Sequence, residues 1–286
     1  MILKTLDQFK TAIPTAVSLD KFTDVETYIR SAEKWIKNNV LGKDLYETII
    51  AATESSSGND LNDDDLLLLC LSIIANHAYW DAIPFLDLTH SNSGFAVISS
   101  NNQVPASKER VERLREQCLI RRDSEVELLI AHLEENEVYH DDWKGSPAYS
   151  ILTNCLIRTA SELEQYGQWS GTRKEFLQLR PKLIQETMLR MEPVFSKDYI
   201  DELIEKQRDG DITGDDLKVM TLLKYSLGSL VNGNMEAAQK IAADALRYMD
   251  ANLTSFETYA TSDEYTVRTT AGYVNLTDST IFSSLF

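Results

Sequence analysis

Apolar residues recur every three or four positions along most of the chain, and this helical period restricts the possible folds more than any other feature. The clearest run covers Val25–Val40, where the apolar positions form one face of a helix. The capping-box sequence Thr23-Asp-Val-Glu26 precedes this run, and Gly42 follows it where a helix C′ residue belongs. The same sequence type opens periodic runs at Thr172–Glu175 and Ser124–Glu127. These patterns predict a mainly α-helical protein.

Two segments depart from the helical period. Both are rich in β-branched and aromatic residues. The first is Phe95–Ile98, and the second comprises Tyr265–Thr269 and Gly272-Tyr-Val274. We therefore predict short β-hairpins or extended arms near residues 94–104 and 262–286. Because the C-terminal stretch is rich in Thr and Ser, it is poorly suited to burial against its own domain. We expect it to act as an arm for a neighbouring subunit.

Shifting the chain by 154 residues aligns residues 22–50 with residues 176–204 without a gap, and the identical pairs are Phe22/Phe176, Val40/Val194, Lys43/Lys197, Asp44/Asp198 and Ile50/Ile204. Tandem duplication explains this match, and so does independent recurrence of a common helix pair. The polar run Asn136–Ser146 then separates two helical-bundle halves. We predict an N-terminal helical domain over residues 1–140 with a short hairpin insertion, and a C-terminal helical domain over residues 147–286 with an extended tail.

The charge balance restricts the partners of the chain. Asp and Glu total 45 against 28 Lys and Arg, which gives a net charge of −17. Because proteins that bind DNA or anionic membranes need an excess of basic residues, we expect neither direct nucleic-acid binding nor membrane association. The most apolar stretch, Leu66–Ala75, is too short for a membrane-spanning helix of roughly 20 residues, so we predict a buried helix. Met1–Lys10 lacks the pattern of a signal peptide.

Motifs that carry chemistry are scarce in this sequence. Cys70, Cys118 and Cys155 are widely spaced in apolar, helical surroundings, and we predict free buried thiols in a reducing compartment. The sequence contains no glycine-rich phosphate loop, no nucleophile elbow and no C-x-x-C motif.

One segment imitates the beginning of a calcium-binding loop. Asp209-Gly-Asp-Ile-Thr-Gly214 has oxygen ligands at the first, third and fifth positions and glycine at the sixth. The twelfth position of such a loop needs a bidentate Glu and here is Met220. We therefore predict a tight turn that leads into Asp215 or Asp216 as the N-cap of the next helix.

Acidic residues and histidines are densest in the middle of the chain, but their spacing differs from that of a zinc-binding helix. The cluster comprises His132, Glu134, Glu135, Glu137, His140, Asp141 and Asp142. We interpret it as a solvated helix end and linker. We interpret His77, beside Tyr79 and Trp80, as a partly buried histidine with hydrogen-bond partners. No catalytic, cofactor-binding or metal-binding residue is assigned.

Basic residues form one cluster, interleaved with Glu109, Glu112 and Glu116: Lys108, Arg110, Arg113, Arg115, Arg121 and Arg122. The alternation of charge predicts a salt-bridged helix face. The alternative is a basic patch that meets an acidic surface of a neighbouring subunit.

Three short motifs follow one another in the first 50 residues: Leu6-Asp-Gln-Phe-Lys10, Ser31-Ala-Glu-Lys-Trp-Ile36 and Leu41-Gly-Lys-Asp-Leu-Tyr46. In this order they resemble small helical phage head–tail connector (adaptor) proteins. Ser93–Val97 and Asn102–Leu114 are similar to a larger family of uncharacterised prophage proteins from gut bacteria. That family pairs two helical halves in one chain and ends in an extended tail.

The resemblance implies a non-enzymatic virion-assembly protein, either a head–tail connector or a head-completion subunit, that acts through protein contacts. The implied partners are other copies of the chain in a homo-oligomer and portal, capsid or tail proteins, with no cofactor. The implied location is the bacterial cytoplasm during assembly and then the virion. A soluble α-helical scaffold that binds another protein, unrelated to phage, is the alternative. A metal-dependent hydrolase that uses the region from His132 to Asp142 is a third hypothesis.

Overall fold

The computed structural model describes residues 1–16, 19–54, 64–86, 88–91, 94–97 and 107–270. The chain divides into two compact units, Met1–Ser150 and Ile151–Phe286, and each has its own arrangement of helices. Helices dominate both units, so the predicted mainly α fold class is confirmed.

The first unit consists of helices and one β-hairpin. Its helices are α1 (Leu6–Ala12), α2 (Glu26–Ile36), α3 (Lys43–Glu54), α4 (Asp64–Leu86), α5 (Lys108–Glu135), α6 (His140–Trp143) and α7 (Pro147–Thr153), which crosses the division. Short 3-10 turns cover Pro14–Ala16, Phe22–Asp24 and Glu137–Tyr139, and a π-helical turn covers Lys37–Leu41.

The hairpin joins β1 (Leu88–Ser91) to β2 (Gly94–Val97). The strands are antiparallel, with Leu88 opposite Val97 and Ser91 opposite Gly94. The predicted hairpin is confirmed over residues 94–97, and residues 98–104 lie outside the described residues.

The long helix α4 is the centre of the first unit because α1, α2 and α5 all pack against it. It has 23 residues and so extends well beyond the predicted run Leu66–Ala75. Cys70, Ile73 and Ala78 on this helix are fully buried. By length and composition α4 is long and apolar enough to cross a membrane, but 61% of its most apolar stretch is buried inside the protein. This burial is typical of the core helix of a globular unit.

A buried carboxylate fixes the beginning of the chain to α2. Glu33 accepts hydrogen bonds from the backbone N–H groups of Ile2 at 2.6 Å and Leu3 at 3.0 Å, and from the Tyr46 hydroxyl at 3.1 Å. Such a carboxylate is stable away from water because these donors replace its hydration. Burial and the neighbouring Glu33 raise the pKa of Tyr46, so the phenol stays a donor. These bonds set the position of α1, which begins at Leu6.

Residues 137–146 belong to the first unit, so the predicted boundary at Asn136–Ser146 lies too early. Trp143 is fully buried, and its indole N–H donates to the Val40 carbonyl at 3.0 Å. The Thr48 hydroxyl also donates to Asp142 at 2.7 Å. One tryptophan thus ties a polar segment to the core, and the division follows Ser150.

In the second unit, all regular structure among the described residues from Ala160 to Thr269 is helical. Its helices are α8 (Ala160–Gly167), α9 (Arg173–Glu186), α10 (Glu192–Phe195), α11 (Lys197–Arg208), α12 (Gly214–Val231), α13 (Met235–Ala251), α14 (Glu257–Ala260) and α15 (Asp263–Thr269), with a π-helical turn over Thr187–Met191 and a 3-10 turn over Leu253–Ser255. The helix α12 is central, because α8, α9 and α13 pack against it.

The beginning of the predicted C-terminal arm is a helix. Residues 263–269 form α15, with Ser262 as N-cap and an ion pair between Arg268 and Asp250. The prediction of an extended segment is therefore wrong there, because a local cap and a contact with α13 outweigh the β-branched composition. Residues 271–286 lie outside the described residues.

Of the three predicted capping boxes, one lies at a helix start. The Thr172 side chain accepts a hydrogen bond from the Glu175 N–H at the start of α9. Thr23 lies in a 3-10 turn instead, before α2 begins. Ser124 lies inside α5, where its hydroxyl donates to the Ile120 carbonyl.

The shift of 154 residues relates the helices of the two units beyond the segment that was aligned by sequence. The helices α1 and α8 are both capped by the preceding threonine, Thr5 or Thr159, whose side chain accepts a backbone hydrogen bond. The helices α3 and α11 agree at both ends under the same shift. In each unit, the short first helix packs against the long central helix. This agreement favours duplication over chance recurrence.

The joints before α3 and α11 are also equivalent. Gly42 has a φ of 78° and Ser196, at the shifted position, a φ of 69°. Both residues are buried, and each begins the turn into the next helix. Positive φ costs a non-glycine residue about 1–3 kcal/mol, so Ser196 is strained where Gly42 is not.

The first prediction tests these joints. Gly42→Ala is expected to lower the free energy of unfolding by about 2–3 kcal/mol, because it adds backbone strain. Its new Cβ would also lie 2.9 Å from the Cβ of Ser146. Ser196→Gly is expected to raise the same free energy by about 1 kcal/mol. Urea denaturation of the full chain measures both changes.

Gly210→Ala is the matched control, because Gly210 has a φ of 74° and open space around its Cβ position. It is expected to lower the free energy of unfolding by about 1 kcal/mol, because it adds backbone strain alone. An equal cost for Gly42→Ala and Gly210→Ala would contradict the close approach to Ser146.

Candidate functional site

An open groove of about 910 Å³ lies in the first unit between α1, α4 and α5. We call it the α1–α4–α5 groove. Ala12 on α1, Leu68 and Leu71 on α4, and Leu128 and Ala131 on α5 provide its apolar lining.

Two leucines of this lining are exposed to solvent. Leu68 is 59% exposed and Leu128 is 58% exposed, whereas their helix neighbours Leu66 and Leu129 are fully buried. Complete burial of one leucine side chain contributes about 1.5–3 kcal/mol. The groove therefore has an apolar surface whose free energy falls when another segment covers it.

Charged side chains surround the apolar surface. Asp7, Asp65 and Glu135 line the groove together with Arg121 and Glu125, which lie 3.9 Å apart. Carboxylates therefore outnumber the arginine on this rim, and they disfavour an acidic partner. The groove suits an apolar segment that carries few negative charges.

A stack of aromatic and arginine side chains joins α2, α4 and α5. The ring of His77 lies 4.8 Å from that of Trp35 and 5.6 Å from that of Trp80. The Arg122 guanidinium lies 4.5 Å from the Trp35 ring, and the Arg115 guanidinium lies 5.6 Å from the Trp80 ring. These contacts fix three helices of the first unit to one another.

His77 in this stack is a structural residue. It is 8% exposed, and its Nδ1 lies 3.1 Å from Nη1 of Arg122. Because a guanidinium donates and does not accept hydrogen bonds, Nδ1 is the acceptor and the ring proton is on Nε2. Burial and the charge of Arg122 lower the pKa of His77 to about 4. His77 is buried and hydrogen-bonded, in agreement with its interpretation from the sequence.

The basic cluster on α5 contains both paired and exposed residues. Arg115 lies 3.6 Å from Glu112, and Arg122 lies 2.5 Å from Asp123. With Arg121, these residues fit the predicted salt-bridged face. The other three basic side chains are exposed at the beginning of the helix: Lys108, Arg110 and Arg113.

The structure distributes the predicted acidic cluster over different contacts. His132 lines the groove, and its ring lies 6.5 Å from that of Tyr139. Asp142 instead accepts the hydrogen bond from Thr48. Within the described parts of the chain, no three His, Cys, Asp or Glu side chains are grouped so that they could hold a metal ion.

The sequence that imitates a calcium loop forms a turn, as predicted, with Gly210 at positive φ. The N-cap of α12 is Thr213, so the prediction of Asp215 or Asp216 at that position is wrong. Asp216 lies in the first turn of the helix, where its carboxylate is 2.7 Å from the Lys206 ammonium. This ion pair ties α12 to α11.

An ion pair lies in the interior of the second unit. The Lys224 ammonium is 2.5 Å from Glu162, and the Lys224 side chain is 5% exposed. Glu162 also accepts hydrogen bonds from Gln207 at 3.1 Å and from the backbone N–H of Arg158 at 2.6 Å. Burial lowers the pKa of Lys224, and the contact with Glu162 opposes this effect. The network joins α8, α11 and α12.

The three cysteines are free and buried, as predicted. Burial raises the pKa of Cys155 to about 11 and also raises the pKa of Cys118. Because the thiolate is the reactive form, these shifts make both thiols unreactive near neutral pH.

The sequence analysis singled out Arg121, His132 and Glu135, which line the groove, but not its apolar residues. The sequence does indicate that a leucine near Leu68 is exposed. Four consecutive leucines, Leu66–Leu69, point to several sides of a helix and cannot all face one core. Leu128, beside Leu129 and Ile130, has a similar signal. Ala12 has no local signal, because its role depends on α4 and α5.

Comparison with known proteins gives one match. A model described as "Family of unknown function (DUF6712)" matches residues 37–151 and 221–269, which is more than half of the chain. The chain belongs to this family. The matched segments of this DUF6712 protein include α4 and α5, which line the groove, and most of the α12–α13 pair. No curated protein and no solved structure matches the chain.

The second prediction concerns the acid stability of the DUF6712 protein. Burial and Arg122 lower the pKa of His77 from its ordinary value of 6.5 to about 4 in the folded chain. Above pH 6.5 the neutral ring therefore makes its full contribution to the free energy of unfolding. This contribution is lost as the pH falls from 6.5 to 4. The expected loss is about 3 kcal/mol. Urea denaturation at several pH values, followed by tryptophan fluorescence, measures it.

His77→Gln is expected to remove this part of the pH dependence, because glutamine does not titrate. Arg122→Met is expected to reduce it, since the guanidinium contributes to the lowered pKa. A wild-type pH dependence in His77→Gln would show that other groups cause the loss of stability.

The third prediction concerns the buried ion pair of the second unit. Glu162→Gln is expected to lower the free energy of unfolding by about 3 kcal/mol, because it leaves a buried ammonium without its counter-charge. Adding Lys224→Met removes that ammonium, so the double variant is expected to be more stable than the single variant. Urea denaturation compares the two, and a double variant less stable than Glu162→Gln contradicts this role of the pair.

Proposed function

We propose that this DUF6712 protein is a non-enzymatic phage or prophage virion-assembly protein, a head–tail connector or head-completion subunit. It acts through contacts with other copies of itself and with portal, capsid or tail proteins. The α1–α4–α5 groove is the observation that carries the proposal of a contact function. The resemblance of the first 50 residues to phage connectors supports the virion part.

The groove supports a contact function because two exposed leucines belong to one apolar lining. Leu68 and Leu128 lie on two helices that pack against each other, so their relative position is fixed before a partner binds. Preformed sites lose little conformational entropy on binding. A partner segment that covers both leucines gains their burial without reorganising the helices.

The motifs that carry the resemblance build one wall of this groove. Glu33, in the second motif, binds Ile2 and Leu3 ahead of α1, and Tyr46, in the third motif, donates to Glu33. The first motif itself forms most of α1. The three motifs thus act together on one structural task, which is to hold α1 beside α4 and α5.

The charge of the chain is compatible with this role. A subunit that surrounds DNA during its passage must not retain it, and a net charge of −17 repels phosphate groups. The buried ionisable groups His77 and Lys224 have structural partners, which is compatible with a protein that works by shape.

The fourth prediction tests the proposal on the full chain. Size-exclusion chromatography with light scattering is expected to show a homo-oligomer, or a complex with portal or tail proteins whose genes adjoin its own. Negative-stain imaging then shows whether the complex forms at the head–tail junction. A strict monomer that joins none of these proteins would overturn the proposal.

Matched variants connect the assembly to the groove. Leu68→Glu combined with Leu128→Glu is expected to weaken association at least about tenfold, because it removes the burial of two leucines. Leu177→Glu changes a leucine of the second unit that is 42% exposed and is expected to leave association unchanged. Equal weakening by both sets would show that the groove has no special role. Association with cellular proteins, without phage genes nearby, would support the scaffold instead.

A further inference from the structure

In the second unit, the first helix carries a larger side chain at the position that corresponds to Ala12. The 154-residue shift that relates Thr5 to Thr159 also relates Ala12 on α1 to Tyr166 on α8. The backbone carbonyl of Tyr166 lies so close to Gly228 of α12 that a Cβ there would be 2.2 Å away. The short first helix therefore lies on the central helix in this unit too, but carries an aromatic side chain where α1 has alanine.

Tyr166 covers the surface of its own unit. Its ring packs edge-on against Tyr225 of α12, with centroids 4.9 Å apart, and the Lys224 ammonium lies 5.5 Å from the ring. In the first unit, Ala12 is part of the groove lining, next to the exposed Leu68. The comparison indicates that the groove lacks an aromatic side chain, which a partner must supply.

The last 16 residues of the chain have the chemistry that the groove requires. Residues 271–286 contain one charged side chain, Asp278, although 26% of all residues in the chain are charged. They also contain four large apolar or aromatic residues close to one another in sequence: Ile281, Phe282, Leu285 and Phe286. A segment with several apolar side chains suits the apolar lining of the groove, and with one charged side chain it meets little repulsion from the acidic rim.

The length of this segment allows it to reach another molecule. Sixteen residues span at most about 55 Å when fully extended. A compact unit of this size has a radius of gyration of about 14 Å, so the segment is long compared with the unit that carries it.

We propose that the C-terminal segment 271–286 of a second copy of this chain binds in the α1–α4–α5 groove, with Phe282 or Phe286 beside Ala12, where Tyr166 stands in the other unit. The inference rests on the proposed function, because it names the partner at the same groove. The exchange links each copy to the next through one arm and one groove.

Cross-linking of full-length chains tests the exchange. One chain carries Leu68→Cys and the other, with a different tag, carries Phe286→Cys, while the native cysteines are buried and unreactive. Mild oxidation of the mixture is expected to give a disulfide-linked pair of the two tagged chains. The pair is expected to form at least about tenfold faster than with Leu177→Cys as the acceptor, because binding in the groove raises the local thiol concentration.

Ala12→Tyr in the Leu68→Cys chain is the decisive variant, because it fills the groove from within as Tyr166 does. It is expected to reduce the cross-linked pair at least about tenfold. Lys10→Tyr, on the same helix outside the groove lining, is expected to leave the yield unchanged. Circular dichroism of both variants verifies that α1 and its unit remain folded.

Each other outcome overturns the inference. Equal rates with Leu68→Cys and Leu177→Cys, or no effect of Ala12→Tyr, would show that the segment does not bind in the groove. A disulfide that forms within single chains carrying both Leu68→Cys and Phe286→Cys, and not between chains, would show that the segment binds its own copy. If light scattering shows that the chains assemble but no cross-link forms, the proposed function is retained and this exchange is excluded. A strict monomer would overturn both.

Discussion

The buried carboxylate of Glu33 is the interaction on which the groove depends. It is 4% exposed, and the backbone N–H groups of Ile2 and Leu3 together with the Tyr46 hydroxyl replace the water that it loses on folding. A carboxylate without these donors would carry a large desolvation cost. The chain therefore begins at a fixed point on α2, and α1 follows in a fixed position beside α4 and α5. The wall of the groove is thus set by a polar interaction, not by apolar packing alone.

The two units use the same arrangement of helices in different ways. At the N3 position of the first helix, Gln8 and Glu162 both accept a hydrogen bond from the backbone at their own helix start, and Glu162 also reaches the buried Lys224. One turn later, Ala12 leaves space where Tyr166 fills it. In the second unit Tyr166 packs against Tyr225, whereas in the first unit Ala12 belongs to the lining of an open apolar groove. The same helix position therefore carries a large side chain in one unit and a small one in the other.

The ionisable and aromatic groups of the interior stabilise the packing of helices. Arg122 stacks on Trp35 and donates to His77, so the cation, the aromatic ring and the neutral imidazole together join α2, α4 and α5. The same two helices, α4 and α5, carry the exposed leucines of the groove. The proposed role in virion assembly requires this packing, because a preformed surface binds without first paying for its own order.

The sequence by itself determined the helical fold class, the hairpin at residues 94–97, the cap at Thr172 and the shift of 154 residues. These features depend on neighbours a few positions apart, or on a pattern that repeats along the chain. The cap expected at Thr23, the linker at 136–146 and the extended segment at 263–269 were wrong. Distant contacts contribute to the last two, that of Trp143 with Val40 and that of Arg268 with Asp250. The groove was also decided by tertiary structure alone. The packing of α4 against α5 brings Leu68 and Leu128 to one groove, and α1, held in part by Glu33, adds Ala12. No local pattern encodes an alignment of three separate helices.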